Sequence, residues 1–185
     1  MTAIAELKRT ELAASRAEGG QYLTFVVGGE AFALGILRIK EIIEYGEVTA
    51  VPMMPGFIRG VINLRGRVVP VVDLSARFGR GPTQVARRSC IVIVEAAGTE
   101  QHAGQDVGIL VDAVNEVVAI ADADIEPAPS FGANLRSEFI QGMAKRNDRF
   151  IILLAVDQVL SIAEMVTLGE EFGRAGNGLA QIGHA

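Results

Sequence analysis

The residue types that most often do chemistry are sparse in this 185-residue chain. A histidine is the natural general base near neutral pH, and there are two, His102 and His184. His102 falls in the polar stretch AGTEQHAGQ and His184 stands next to the last residue, so neither is set where packing would position it. Cys90, the one cysteine, sits in the apolar run SCIVIV. A thiol there behaves as a small hydrophobe, and a single cysteine leaves neither a disulfide nor a thiolate pair for a metal. Asp122, Asp124 and Glu126 alternate in ADADIE, a spacing that suits calcium. The run lacks the turn glycine and the distal bidentate glutamate of a calcium loop, and is better read as a solvated turn. Gly28-Gly29 precedes a strand pattern and is followed by no lysine-hydroxyl pair, so it is no phosphate cradle. The chain is expected to be non-enzymatic, with no metal and no cofactor.

What remains is a pair of arginines. Arg65 and Arg67 interrupt the otherwise apolar VINLRGRVVPVVDL of residues 61–74. A guanidinium is a planar fork of donors suited to carboxylates and to stacking. In a strand-to-strand turn it is ordinarily just a solvated end.

The background composition is that of a folded domain: 50% apolar, 21% charged, 21 glycines and six prolines. The formal charge of −5 disfavours a nucleic-acid backbone as partner. No segment reaches the roughly 18 apolar residues of a membrane span, and the N-terminus has no secretory apolar stretch. A cytoplasmic protein is expected.

Strand signals dominate. Residues 2–18 suggest a short polar helix, within a leader covering residues 1–20. Tyr22–Val27 and Ala31–Ile36 flank Gly28-Gly29 as a tight hairpin. Arg38–Glu44 alternates charged and branched residues, a half-buried strand. Pro52–Gly56 is a loop. Phe57–Leu64 and Arg67–Val72 make a second hairpin, with Pro70 placing the latter strand at an edge or bulge. Asp73 caps a short helix, Leu74–Phe78, which Gly79 stops.

The pattern then restarts. Ser89–Val94 and Asp106–Val111 form another pair of strands, joined by a long polar loop. Val114-Asn115-Glu116-Val117 repeats Ile39-Lys40-Glu41-Ile42. Pro127-Ala128-Pro129 is a second proline loop. Phe139-Ile140-Gln141-Gly142 echoes Phe57-Ile58-Arg59-Gly60, and each echo leads through an arginine, Arg67 or Arg149, to an aspartate, Asp73 or Asp157. Two related β units, about residues 21–80 and 88–160, are implied. Each is small enough to need the other's apolar face. Ser161-Ile162-Ala163-Glu164 fits a capping box opening a helix through Leu168, and residues 169–185 read as a flexible tail.

Taken in order, Phe25–Leu34, Ile39–Ile42, Pro55–Gly66, Val68–Leu74 and Gly108–Val114 resemble the CheW family, the coupling proteins of bacterial chemoreceptor arrays. The resemblance covers residues 21 to about 168. It implies a mainly β fold: two SH3-like five-stranded β-barrel subdomains packed around a shared hydrophobic core, with short helices and a C-terminal helix. It also implies a scaffold that joins the cytoplasmic tips of methyl-accepting chemoreceptors to the regulatory domain of the histidine kinase CheA, without inserting into the membrane itself. A groove between the subdomains would take the receptor tip. The positions that match the family's partner-binding residues are Ile39, Glu41, Ile42 and Arg65. Arg67 matches no position with a fixed role.

Glu41 and Arg65 either face a partner or pair with each other inside the protein, in which case both are structural. Ile39 and Ile42 fall on opposite faces of their strand by period, so one faces the groove and the other the core, and the period does not say which. A ligand-binding barrel is the rival, weakened by having only eight phenylalanines and two tyrosines to line a pocket. A nucleic-acid barrel would want a basic, aromatic-studded face. The kinase's own regulatory domain, or an adaptor fused to a receiver domain, shares the fold but would need a longer chain.

Overall fold

The computed structural model describes residues 20–98, 100, 103–127 and 137–161. The expected leader helix, both histidines, the helix opened at Ser161, the tail, and Ala128-Pro129 of the second proline loop lie wholly or almost wholly outside these residues.

Eleven strands lie in two sheets among the described residues. They are β1 (Gly20–Val27), β2 (Glu30–Gly35), β3 (Ile39–Glu44), β4 (Ile58–Leu64), β5 (Arg67–Asp73), β6 (Cys90–Ala96), β7 (Gln105–Val111), β8 (Ala113–Ile120), β9 (Ile125–Glu126), β10 (Ile140–Arg146) and β11 (Arg149–Leu154). Two four-residue helices, α1 (Leu74–Arg77) and α2 (Val156–Val159), follow β5 and β11. The six-stranded sheet runs β8-β1-β2-β11-β10-β9 and the five-stranded sheet β3-β6-β7-β5-β4. The sixth strand, β9, is only two residues long and pairs with β10. A short 3-10 turn, Asp122–Asp124, carries the chain from β8 at one edge to β9 at the other, curling the sheet towards closure. That turn is the acidic run of the sequence, exposed throughout.

The mainly β, two-unit architecture is as expected, but the sheets do not follow the two sequence units. The hairpin β1–β2 pairs with β8 and β11, whereas β6–β7 pairs with β3 and β5. Each sequence unit therefore lends its opening hairpin to the other unit's remaining strands, four in the first sheet and three in the second. The lent hairpins are buried on both faces. On β1 and β2, Leu23, Phe25, Phe32 and Leu34 enter a shared core while Tyr22 and Ala33 enter the first barrel. On β6 and β7, Val92, Val94, Val107 and Ile109 enter the shared core while Ile91, Ile93 and Leu110 fill the second. Double burial explains why these strands read as continuous apolar runs rather than alternating ones.

The registers relate the two barrels residue by residue. The two-residue turns Arg65-Gly66 and Asn147-Asp148, all four residues at positive φ, join Leu64 to Arg67 and Arg146 to Arg149. At the far end, the Asp73 amide donates to the Phe57 carbonyl and the Ala155 amide to the Phe139 carbonyl, both at 2.8 Å. The counterpart of Asp73 is thus Ala155, not Asp157 as the sequence echo suggested. Asp157 lies inside α2 and serves another bond: Arg38 grips it through its two terminal guanidinium nitrogens, at 2.6 and 3.1 Å. Arg77 lies over both Phe57 and Phe139, 4.7 and 4.8 Å from their ring centres, and ties the two halves together.

Pro70 is also placed differently from expectation. β5 lies between β4 and β7, not at an edge. Its parallel ladder to β7 begins only at Val71, so at Pro70 the strand has one neighbour and the missing N–H disrupts nothing.

The Arg38–Asp157 pair gives a pH signature. Its hydrogen bond holds the Asp157 carboxyl below the ordinary carboxylate range. The pair therefore stabilises the fold above the unfolded carboxyl's pKa of about 3.9 and loses that contribution as pH falls through the lowered folded value. Both side chains are partly exposed, at 35% and 50%, which limits the effect. Asp157→Asn is expected to lower stability by ~0.5–1 kcal/mol at pH 7. In denaturant titrations the two proteins should converge only at acid pH.

Candidate functional site

The structure brings Glu41 and Arg65 together. Arg65 Nη2 donates to Glu41 Oε1 at 2.9 Å. Glu41 comes from β3 and Arg65 from the β4–β5 turn, and β3 and β4 are the opposite edges of the five-stranded sheet. The ion pair therefore spans the open side of the second barrel. Arg65 occupies a left-handed position, φ 53°, of a two-residue turn whose second residue is Gly66 at φ 82°. The Gly66 amide donates to Asn63 Oδ1 at 2.8 Å and fixes the turn. Of the two alternatives open in the sequence, pairing within the protein is present, and it leaves the arginine available: its side chain is 69% exposed against 15% for Glu41.

Arg67 has a partner as well. It reaches Asp106 at 3.3 Å, and Lys40 approaches the other carboxylate oxygen at 2.7 Å. Asp106 is nearly buried, and its hydrogen bond raises the Lys40 ammonium above its ordinary pKa. Lys40 and Asp106 were not singled out from sequence. Each sits in an ordinary strand pattern, and only the pairing of β3, β5, β6 and β7 brings them together. The cation at Arg67 was the one available signal. Three cations (Lys40, Arg65 and Arg67) and three carboxylates (Glu41, Asp106 and, 3.7 Å from Lys40, Glu95) thus gather at one end of the second barrel.

Ile39 and Ile42 do not lie on opposite faces. The β3–β6 register shifts between Ile39 and Glu41, making Lys40 a bulge. One extra residue moves the alternation by one, so Ile39 and Ile42 share a face. Both are half-buried and pack against the shared core, while Ile43 turns into the second barrel. Neither is a fully buried core residue, and neither is free of the protein. Close by in sequence, Leu37 and Val68 are 73% and 74% exposed, well above the other large apolar side chains facing solvent.

Nothing here assembles a metal centre: no cluster of three or more His, Cys, Asp or Glu side chains able to hold an ion occurs among the described residues. Cys90 is half-buried, and burial pushes its thiol up, away from the reactive thiolate. No helix among the described residues is long and apolar enough to cross a membrane.

Comparison with known proteins places the chain in a family. A family model described as the CheW-like domain matches residues 21–164. The chain is 34% identical to the chemotaxis protein CheW of Klebsiella aerogenes over 148 residues, covering 80% of this chain and 85% of that one. It is 33% identical to chemotaxis protein CheW of Rhizobium meliloti, covering 79% and 90%. The crystal structure of the scaffolding protein TtCheW from Thermoanaerobacter tengcongensis superposes with a TM-score of 0.69 at 35% identity, over 78% of this chain and 89% of that chain.

Proposed function

The chain belongs to the CheW-like family, and from that premise we propose that it is a non-catalytic adaptor coupling methyl-accepting chemoreceptors to the histidine kinase CheA. It works in the cytoplasm and is recruited to membrane-associated receptor arrays through its partners. The observation that carries this reading is the state of Arg65. Its guanidinium is mostly exposed yet held at 2.9 Å on Glu41, so the donors left over are presented in a fixed direction. An oriented arginine at a surface is the kind of residue on which protein interfaces concentrate their affinity.

Ile39 and Ile42 supply the apolar part of the contact. They emerge half-covered at the margin of the core shared by the two barrels, where a partner helix would complete their burial. Glu41 acts by positioning Arg65. β3, which carries three of the four residues, is an edge strand, so its outer side is not taken by a sheet neighbour.

The proposal is tested by mixing the chain with a cytoplasmic receptor fragment and the kinase from the same cell and sedimenting the receptor. The kinase is expected to co-sediment only when the chain is present. If the chain sediments with neither partner, the adaptor role is wrong for this member of the family.

A further inference from the structure

The barrel-to-barrel correspondence exposes a difference with a chemical meaning. The parallel ladders align Leu153 with Ala33 in the first barrel and Val71 with Gly108 in the second. Counting back two residues on each strand, Ala31 of β2 stands where Asp106 stands on β7. The bulges of β8 and β3 likewise align Asn115 with Lys40 and Glu116 with Glu41. The turns align Arg149 with Arg67.

In the second barrel, Arg67 and Lys40 converge on the nearly buried Asp106, and Glu95, 3.7 Å from Lys40, supplies the second negative charge. In the first, Arg149 persists, but the carboxylate has become the methyl group of Ala31. The space is not filled. A cleft of about 240 Å³ opens there, with Ala31, Val118 and Ile151 among its apolar lining and Arg146, Arg149 and Glu116 among its polar lining. Neither arginine makes an ion pair among the described residues, and Glu116 offsets only one of the two positive charges. We propose that this cleft is a binding site for an external carboxylate, free or on an acidic side chain, which takes the place that Asp106 occupies in the other barrel. The arginines donate to the carboxylate and the short apolar stem lies against Ala31, Val118 and Ile151. This inference does not depend on the adaptor reading.

The test is an amide NMR titration of the full chain with glutarate and, separately, with a blocked Gly-Glu-Gly tripeptide, each against its neutral amide counterpart. Saturable shifts at Thr24, Ala31 and Val118 are expected, with dissociation constants on the order of 1–10 mM. The two acids distinguish a free carboxylate from one on a peptide, and a saturable response to either supports the site. Arg149→Gln should weaken binding at least tenfold. Ala31→Asp, which restores the internal carboxylate at a half-buried position, should abolish it while leaving the fold intact. Equal responses to acids and amides, or a response that survives Arg149→Gln unchanged, would overturn the proposal.

Discussion

Gly60→Ala is expected to destabilise the protein by about 3–5 kcal/mol, combining backbone strain and overpacking of ~1–3 kcal/mol each. Gly60 sits in β4 at φ 152°, a conformation that L side chains rarely adopt. A Cβ added there would lie 2.2 Å from the Thr49 carbonyl oxygen and 2.9 Å from a Val48 methyl. The approach is this close because Thr49 and Val61 exchange two backbone hydrogen bonds at 2.9 Å, which draw the segment before β4 across that strand. Neither contact is the movable end of a long side chain, so relief requires breaking that bridge. Gly66→Ala is the control: its φ is 82°, but nothing lies within 4 Å of the added carbon, and about 1 kcal/mol is expected. Urea midpoints measure both. Equal losses would mean that the close approach at Thr49 is absent in solution.

Asp73→Ala should be comparably severe, at roughly 3–5 kcal/mol, because it removes the acceptor of two buried donors and the counter-charge of a partly buried guanidinium. Asp73 is 1% exposed. Its oxygens accept from the Thr83 hydroxyl at 2.6 Å, the Thr83 amide at 2.7 Å, Arg59 at 3.4 Å and the Ala76 amide at the start of α1 at 3.4 Å. Substitution strands the Thr83 amide and hydroxyl together, and leaves Arg59, still donating to the Thr83 carbonyl at 3.1 Å, without its counter-charge. Asp73→Asn keeps one acceptor oxygen and should lose about half as much. In a thermal double-mutant cycle with Thr83→Ala, a coupling of at least ~1 kcal/mol is expected, since the two side chains are in direct contact. Additivity would show that the Thr83 bonds contribute little.

These positions also show what was legible in the sequence. Asp73 was readable as a helix cap because the signal is local: a capping residue, a short apolar spacing and a glycine stop. The Gly28-Gly29 hairpin and the Arg65-Gly66 turn were readable for the same reason. The β class and the duplication were visible in the runs and their echoes. What could not be read was anything set by pairing between distant strands. The exchange of hairpins leaves no local trace, since β1–β2 would look the same whichever sheet received them. The bulge at Lys40 reversed the expected facing of Ile39 and Ile42, because a period-two argument fails wherever one residue is added. Asp157 was matched to Asp73 because each ends an apolar run opened by an arginine, and the backbone bonds from Asp73 and Ala155 show the true alignment to be two residues earlier. Of the candidate site, Glu41 and Arg65 were named through the family resemblance and their pairing was left open. The Lys40–Asp106–Arg67 cluster was not found, since it joins three strands that are far apart in the chain.

The measurement that bears most directly on the adaptor account is receptor-dependent phosphorylation of the kinase with the wild-type chain, Glu41→Arg, Arg65→Glu and the double exchange. Melting temperature is recorded for each. Each single change should lower stability by about 1 kcal/mol, as befits a pair whose arginine is largely exposed, and abolish activation. The double exchange should recover the stability, because the ion pair re-forms with its charges reversed. It should not recover activation, because a carboxylate now faces the partner where a guanidinium is required. Full recovery of activation by the double exchange would show that the pair only closes the barrel, and no activation by the wild-type chain would contradict the adaptor function itself.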